Sequence, residues 1–343
     1  YRDGEVIFSL SSEVGAAPQA FLEPLAEFGH YLPPRQEVIP YWGALSPDGR
    51  TMALVLTDDP VSKAPPGAND WFSPGPHPLN IYLMDMSTRD LRLLVDEGML
   101  PLWSPDSQRL AYRSTQTYGL WVVDVATREA REVYGVSGEN FVHVFTWAFD
   151  NRHMALMDTV LRQSNEVFVI DTAGVMSPQL VVPEKSYGTS LAQWSPISNQ
   201  IALTLVDEGE QPLEDMWLMA PDSTDRRQLT RDLDVGGMPQ WSPDGHWIAF
   251  SAHIAYENEY PWSDLWLVDP AGAVLQRLTY DGTAGRGDHW ANDYQPMWSP
   301  DGTQLVYFKT SGRLWLMSLI DGSRRQLIQT EDNLHDSGLV IGR

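Results

Sequence analysis

The sequence predicts an all-β protein, a β-propeller built from four-stranded blades. Three observations support this prediction: a Trp-Ser-Pro-Asp-Gly motif returns along the chain, short apolar runs follow each copy, and the copies stand 44 to 58 residues apart. Short apolar runs bounded by turn residues are typical of strands rather than helices. A recurrent period of this length is typical of propellers and other folds in which one unit packs on the next.

The first element of each repeat is an anchor residue followed by a tight turn. Ser, Pro, Asp and Gly suit the four successive positions of a type I turn, with the fixed φ of proline at the second position. Five of the six anchors are tryptophans, and packing in the core is their expected role. The six copies begin at Leu45, Trp103, Trp147, Trp194, Trp241 and Trp298.

Three further apolar runs complete each predicted blade. In the fifth copy they are Ile248-Ala-Phe250, then Leu265-Trp-Leu-Val-Asp269, and a weaker run, Arg277-Leu-Thr279. These runs are apolar at consecutive positions rather than at alternate ones. We therefore expect both faces of each sheet to be covered by neighbouring blades.

The repeats resemble those of the propeller in the TolB-like family of bacterial proteins, which also carry Trp-Ser-Pro-Asp-Gly (WD40-like) motifs. The resemblance covers residues 38–330 and is strongest in the fifth and sixth copies, whereas Ala148-Phe149 and Ile197-Ser198 depart from the motif. It implies a protein of the bacterial cell envelope or exterior. Related repeats also occur in propellers of prolyl-oligopeptidase-like peptidases and in some polysaccharide lyases, so the fold alone assigns no function.

The two ends of the chain together hold one further repeat. Residues 2–10 resemble a turn and second strand, and residues 338–342 stand where an innermost strand belongs. Seven blades, the last closed by residues 1–36 and 331–343, are therefore favoured over six. The whole chain, 1–343, is predicted to be a single propeller domain, with repeats at 37–96, 97–137, 138–183, 184–231, 232–280 and 281–330.

A formal net charge of −23 and an isoelectric point near 4.5 limit the partners of this acidic protein. Nucleic acid is excluded because phosphate contacts need clustered lysine and arginine. The absence of cysteine excludes disulfides, thiolate metal sites and thiol nucleophiles. No apolar run approaches the roughly 18 residues of a membrane-spanning helix. The sequence begins, at Tyr1, in the middle of a repeat, which is compatible with an export signal or anchor ahead of that residue.

The long insertions are predicted to fall on one face of the propeller. They lie between second and third strands or between blades, at 57–79, 206–215, 252–264 and 280–295, and those connections share one face. Long loops on a rigid scaffold often carry function, and aromatic and acidic side chains together suit a sugar, a cationic group or a basic peptide. Asp215 and Asp264 are among the carboxylates of this face. The candidate binding residues are Trp71, Asp207, Glu208, Glu210, Tyr256, Glu257, Glu259, Tyr260, Trp262, Asp288, His289, Trp290 and Asp293.

No catalytic motif is present in the sequence. Gly188-Thr-Ser-Leu-Ala192 comes nearest to the Gly-x-Ser-x-Gly elbow of serine hydrolases, but it ends in alanine and precedes a strand. The polar stretch 287–293 lacks the spacing of metal ligands. No catalytic residue, metal or cofactor is therefore predicted.

These observations together predict a non-enzymatic propeller, periplasmic or extracellular, that does not span the membrane. It would bind a protein or peptide partner, in a larger envelope assembly, through the acidic and aromatic long-loop face, and a glycan would also suit that face. The alternative is a carbohydrate-active enzyme, a glycoside hydrolase or lyase, with carboxylates over the propeller axis. Two carboxylates about 5–9 Å apart would favour this alternative.

Overall fold

The protein is all-β over the part of the chain that the structure, a computed structural model, describes. Every regular element there is a strand, and no helix in those ranges has the length and apolar character that crossing a membrane requires. The described residues are 39–57, 79–138, 140–160, 164–181, 193–206, 213–231, 233–254, 263–280, 293–309 and 313–328.

The strands form six four-stranded antiparallel sheets, here called blades 1 to 6 in chain order. In each blade, strands that are consecutive in the sequence are neighbours in the sheet. The predicted fold class, a β-propeller of four-stranded blades, is confirmed, and the six blades are those of the six repeats. The seventh blade predicted from residues 1–36 and 331–343 lies outside the described residues.

Contacts between residues divide the chain into two compact units. Unit 1 comprises residues 1–132 and 334–343, and unit 2 comprises residues 133–333. The strands of blades 1 and 2 are β1 (Ile39–Leu45), β2 (Thr51–Thr57), β3 (Leu79–Asp85), β4 (Leu91–Val95), β5 (Gly98–Trp103), β6 (Arg109–Ser114), β7 (Leu120–Asp124) and β8 (Ala130–Tyr134), the last of which ends in unit 2.

Blades 3 to 6 belong to unit 2. Their sixteen strands are β9 (Phe141–Trp147), β10 (His153–Val160), β11 (Ser164–Asp171), β12 (Gln179–Leu180), β13 (Gln193–Trp194), β14 (Ile201–Val206), β15 (Glu214–Met219), β16 (Arg227–Gln228), β17 (Leu233–Trp241), β18 (Ile248–Ile254), β19 (Asp264–Val268), β20 (Leu275–Arg277), β21 (Asp293–Trp298), β22 (Gln304–Lys309), β23 (Arg313–Ser318) and β24 (Arg324–Ile328).

The turn after each anchor is held by its own serine and aspartate. In blade 5 the Ser242 hydroxyl donates to Asp244 Oδ1 at 2.6 Å, and the Gly245 N–H donates to the Ser242 carbonyl at 2.9 Å. Gly245 has φ +69°, a left-handed conformation that glycine adopts at no steric cost. A Cβ atom at this position would also meet the Ile197 side chain, so the irregular turn of blade 4 fits against this glycine.

Blade 3 keeps its turn although Ala148-Phe149 replaces Ser-Pro. Asp150 Oδ1 accepts hydrogen bonds from the N–H groups of Arg152 at 2.8 Å and His153 at 2.9 Å. Asn151 takes the left-handed place of glycine with φ 60°. Asparagine tolerates that conformation better than most residues, so the turn survives the loss of the motif.

The anchor tryptophans are core residues, as expected, and all five are at most 8% exposed. Three of them also donate their indole N–H to a backbone carbonyl of the preceding blade, one residue before the anchor of that blade. These bonds run from Trp103 to Ala44 (2.8 Å), from Trp241 to Gln193 (3.2 Å) and from Trp298 to Gln240 (2.9 Å).

Candidate active site

Blades 4 and 5 each contain a polar contact between the start of the third strand and the end of the fourth strand. In blade 4, Asp215 accepts hydrogen bonds from Thr230 Oγ1 and Gln228 Nε2, both at 2.9 Å. Thr230 Oγ1 in turn accepts a bond from the Met216 N–H at 2.8 Å. We call this aspartate–threonine contact the latch. It is buried, because Asp215 is 5% and Thr230 1% exposed.

Blade 5 repeats the latch with an added cation. Asp264 accepts hydrogen bonds from Thr279 Oγ1 at 3.1 Å and from Arg277 Nε at 3.0 Å, and the Nη2 of Arg277 also donates to this carboxylate. In blade 1, Asn80 accepts a bond from the Glu97 N–H at 2.9 Å, again between the third strand and the end of the fourth. Asp215 and Asp264 therefore have structural roles rather than facing solvent.

Asp293 is the one predicted binding residue that lies within the described ranges. It is fully buried at the start of β21, and its carboxylate lies 3.6 Å from Lys309 Nζ. Its N–H donates to the Ser263 carbonyl at 2.9 Å, which joins blade 6 to blade 5. Lys309 Nζ also lies 5.5 Å from the centre of the Trp315 ring. Asp293 thus belongs to a buried ion pair. The other twelve candidate residues lie outside the described ranges, and their role stays a prediction.

Blade 3 departs from its neighbours at the latch position. Glu166 stands there, and Val181 donates its N–H to the Val167 carbonyl at 2.8 Å as Leu229 does to Met216 in blade 4. The next residue in the sequence is therefore the counterpart of the latch threonine, and it is Val182, which has no hydroxyl group. The latch of blades 4 and 5 cannot form with this residue.

The strand facing Glu166 also differs. Residues directly opposite the latch position are apolar and buried in blades 1, 4 and 5, where they are Leu56, Leu205 and Ala252. In blade 3 the residue opposite Glu166 is Asp158. Two carboxyl side chains therefore face each other across β10 and β11, close to the connection between the second and third strands.

Asp158 is a buried carboxyl group that is 6% exposed. The Tyr134 hydroxyl, at the end of β8, donates a hydrogen bond to Asp158 Oδ2 at 2.8 Å. Burial raises the pKa of Asp158 above its usual value, and hydrogen bonds from the side chains of Tyr134 and Asn140 offset part of that rise. Desolvation therefore dominates, and it favours the protonated acid in the folded protein.

The surroundings of Asp158 are aromatic and acidic. The rings of Tyr134 and Phe168 lie 5.5 Å apart at an angle of 41°. Burial, the hydrogen bond to Asp158 and the charges of Asp158 and Glu166 all raise the pKa of Tyr134, so its phenol stays protonated at neutral pH. Tyr134 is thus a donor that fixes the orientation of the Asp158 carboxyl group.

A carboxyl group with a raised pKa beside a second carboxylate has the composition of an acid–base site. The protonated acid can give a proton to a leaving group, and the ionised one can accept a proton or attack. Residues directly opposite in an antiparallel pair have Cβ atoms about 4.5–5.5 Å apart, so Asp158 and Glu166 are neighbours on one face of the sheet. In the described ranges no group of three or more His, Asp or Glu residues could hold a metal ion.

Sequence analysis missed this cluster. The signal that was available is local. Asp158 places an acidic residue directly after the buried run Met154–Met157, at a position that is apolar in blades 1, 4 and 5. A charged residue at such a position costs free energy unless a partner or a function compensates. Its partner Tyr134 is 24 residues away and belongs to another repeat, so repeat comparison alone does not reveal the contact.

Comparison with known proteins finds enzymes among the chains that are similar to this one. No family model matches. The uncharacterized peptidase YuxL of Bacillus subtilis is 23% identical over 195 residues, which is 45% of this chain and 29% of that protein. The match therefore spans less than a third of the length of that relative.

Three solved structures share the fold. An oligogalacturonate lyase in complex with manganese has a TM-score of 0.63 at 16% identity, covering 86% of this chain and 80% of the lyase. An acylaminoacyl peptidase from Pyrococcus horikoshii has a TM-score of 0.63 at 14% identity, covering 86% of this chain but 46% of the peptidase. TolB from Acinetobacter baumannii has a TM-score of 0.53 at 18% identity, covering 74% of this chain and 61% of TolB.

These comparisons correct one prediction and support another. The prediction of a non-enzymatic binding propeller is wrong, because similar chains include a lyase and peptidases, which favour the enzyme alternative. The predicted resemblance to TolB is supported at the level of the fold. At these identities the likeness to solved structures establishes the architecture, and this chain is similar to propellers of enzymes as well as to that of TolB.

Proposed function

We propose that this protein is a carbohydrate-active enzyme, a glycoside hydrolase or lyase, with Asp158 as its acid–base residue. The observation that carries the proposal is the buried Asp158 carboxyl group, which stands where blades 1, 4 and 5 have an apolar residue and whose pKa burial raises. Perturbed carboxyl groups of this kind are common at active sites, where a proton must be held near neutral pH.

Glu166 supplies the second carboxylate of the proposed site. It lies directly opposite Asp158 across the strand pair, and its charge acts on Tyr134. Tyr134 is a positioning residue, since it contacts Asp158 through its hydroxyl group. The roles follow from the environments: Asp158, whose pKa burial raises, is the proposed proton donor, and the more exposed Glu166 is the proposed base.

The comparisons support this proposal over other enzyme classes. The likeness to oligogalacturonate lyase extends over most of both chains, so a propeller of this size makes up most of that enzyme. The likeness to the peptidase leaves more than half of that protein unmatched. We also propose a location outside the cytoplasm, periplasmic or extracellular, on the basis of the TolB-like repeats and the shared fold.

The test is the loss of activity in Asp158→Asn. The variant keeps the shape of the side chain and can still accept the Tyr134 hydrogen bond, but it cannot hold a proton for transfer. We expect kcat toward a cleaved oligosaccharide to fall about 10²–10⁴-fold, with an unchanged circular dichroism spectrum. Asp215→Asn is the matched control, a buried aspartate of blade 4 outside the site, and should retain kcat within a few-fold.

Tyr134→Phe sharpens the same test. Loss of the phenol hydrogen bond removes a stabilising partner of the ionised Asp158 carboxylate, so the pKa of Asp158 should rise further. Because a general acid works protonated, the high-pH limb of kcat should move to higher pH. Full activity in Asp158→Asn, or a high-pH limb that Tyr134→Phe leaves in place, would refute the assignment.

A second candidate, the propeller part of a larger peptidase, is favoured by the sequence match to YuxL. In that case the chain would belong to a longer polypeptide with a separate catalytic domain. Labelling of the native source with a serine-directed fluorophosphonate separates the two proposals. A labelled polypeptide that contains this sequence would support the peptidase, and its peptide cleavage should be insensitive to Asp158→Asn.

A further inference from the structure

The face of blade 3 that carries Asp158 becomes more exposed toward its outer strand. Directly opposite Asp158 on the inner strand β9 lies Val142, which is fully buried. On the same face, Glu166 and Phe168 of β11 are partly exposed. Leu180 on the outermost strand β12 is 41% exposed. Among the described residues of this face, the acid pair is therefore closed on its inner side and open toward β12.

An apolar surface adjoins the acid pair on that open side. The Tyr134 ring lies 5.5 Å from the Phe168 ring, and Leu180 lies directly opposite Phe168 across β11 and β12. We call Tyr134, Phe168 and Leu180 the platform. The Tyr134 hydroxyl donates to Asp158 Oδ2 at 2.8 Å, so the same residue joins the platform to the acid. Aromatic and aliphatic side chains of this kind offer a surface on which the apolar face of a sugar ring packs.

The other blades of unit 2 build this position with polar or charged side chains. A tryptophan stands in place of Phe168 in blades 4, 5 and 6, and the residues opposite it are Gln228, Arg277 and Gln326. A cation of the protein lies over each of these tryptophan rings, between 4.8 and 5.8 Å from the ring centre. In blade 3 the neighbours of the ring include a second aromatic ring and an exposed leucine. The apolar platform is therefore not a general property of the repeat.

Blade 1 contains a similar apolar pair without the acids. Its Tyr82 lies directly opposite Leu93, which is 36% exposed. At the position of Asp158, however, blade 1 has the buried Leu56. An exposed leucine by itself is a common surface feature. What distinguishes blade 3 is that its apolar surface is continuous with a pair of carboxyl side chains.

Resting on the proposed function, we infer that the platform is a subsite for a sugar residue beyond the cleaved bond. Strands β10 and β12 are two strand spacings apart, about 10 Å, which is more than the width of one sugar ring. A ring that packs on Leu180 is therefore not one of the two that the cleaved bond joins. The substrate is then an oligosaccharide of at least three residues, which lies across the strands of blade 3 and leaves the site over the edge strand β12.

The experiment measures how kcat and KM of the whole chain depend on the length of the oligosaccharide. The probes are oligogalacturonates and cello-oligosaccharides of two to five residues, so that the test includes a charged and a neutral sugar. In the series that is cleaved, we expect KM to fall at least tenfold between two and four residues, because the longer chain covers the platform. Phe168→Ala should reduce this fall to threefold or less. Phe168→Trp, which installs the residue of blades 4 to 6, should preserve it.

Leu180→Ala provides a second variant that leaves the partly buried ring in place. It should reduce the fall in KM to fivefold or less. Leu93→Ala in blade 1 is the matched control, an exposed leucine at the same position of the repeat, and should leave KM at every length unchanged. Both leucine variants should keep the circular dichroism spectrum of the parent, which separates a lost contact from a lost fold.

Each result has a clear meaning. A KM that does not change with length, or a fall that both Phe168→Ala and Leu180→Ala leave in place, would overturn this inference. Equal effects of Leu180→Ala and Leu93→Ala would also overturn it. In each of these cases Asp158 remains the acid–base residue if Asp158→Asn is inactive. Cleavage that Asp158→Asn leaves intact would overturn the proposed function, whatever the dependence on length. If neither series is cleaved, both proposals are overturned.

Discussion

Blade 3 and blades 4 and 5 place carboxyl side chains at the same position of the same repeat and use them differently. In blades 4 and 5, Asp215 and Asp264 are each bound by the threonine at the end of the fourth strand. In blade 3 the equivalent threonine is replaced by Val182, and Glu166 instead faces a second acid, Asp158. A repeat protein thus contains its own controls, because the same position occurs with a structural role in blades 4 and 5 and with the proposed catalytic role in blade 3.

The difference shows how to separate structural from functional acids in a chain with 46 of them. An aspartate that is satisfied by neighbours of its own blade contributes to stability. One that is buried opposite a second acid, with a pKa that burial raises despite its hydrogen bonds, is unfavourable for stability when ionised and is a candidate for function. Variants at the two kinds of position should therefore have opposite effects.

The largest effect on stability is expected for Asp264→Asn. The Arg277 side chain is only 15% exposed, and the variant leaves it without the carboxylate that it contacts through two nitrogen atoms. Breaking a buried ion pair by removing one partner costs about 3 kcal/mol or more. Chemical denaturation should report this loss. Asp222→Asn, in an exposed turn, is the control and should cost less than about 1 kcal/mol. Equal losses in the two variants would contradict a stabilising role for the contacts of Asp264.

A smaller loss is expected for Thr230→Val in blade 4. The variant keeps the shape of the side chain but removes the donor to Asp215 and the acceptor for the Met216 N–H. Leaving these buried groups with one bond fewer costs about 1–3 kcal/mol. Thr224→Val, where the hydroxyl serves an exposed turn, should change the free energy of unfolding by about 0.5 kcal/mol or less. A Thr230→Val protein as stable as its parent would show that the latch contributes nothing.

The smallest effect, and the one of opposite sign, is expected for Asp158→Asn. The raised pKa means that the folded state favours the protonated acid, so ionisation weakens folding as the pH rises from about 4 through the folded-state pKa. Asparagine removes this dependence. At pH 7 the variant should melt at or slightly above the temperature of the parent, and the gain should vanish as the pH falls toward about 4. A variant that is destabilised like Asp264→Asn would place Asp158 among the structural acids.

The blade architecture could be predicted from the sequence because it is repeated. Turn chemistry at Ser242-Pro-Asp-Gly245 and the buried tryptophans are local rules, and six copies of a weak signal reinforce each other. Even the departure at Ala148-Phe149 does little harm, because Asp150 and Asn151 still supply the acceptor and the left-handed residue of the turn. The seventh blade depended on the unrepeated ends of the chain, where no such reinforcement exists.

Only part of the candidate site could be predicted, because Asp158 and Glu166 belong to one repeat whereas the contact of Asp158 with Tyr134 joins two repeats. The acidic residues Asp215, Asp264 and Asp293 appear in the sequence as members of a solvated acidic face, and the structure buries all three. Conversely, in the sequence Asp158 simply follows the apolar run Met154–Met157 of a predicted strand. Its hydrogen bond with Tyr134 depends on how the last strand of blade 2 packs against blade 3, and no local sequence pattern encodes that packing.

The indole bonds of the anchor tryptophans bear on how such a protein can change over evolutionary time. The same bond joins residues 59, 48 and 58 positions apart, since it connects one inner strand with the next whatever the chain does between them. A segment of about ten residues can therefore enter or leave a repeat without moving the strands that space the blades. New binding loops can accumulate at one end of the sheets while the inner strands keep their spacing, so the scaffold can acquire new substrates without being rebuilt.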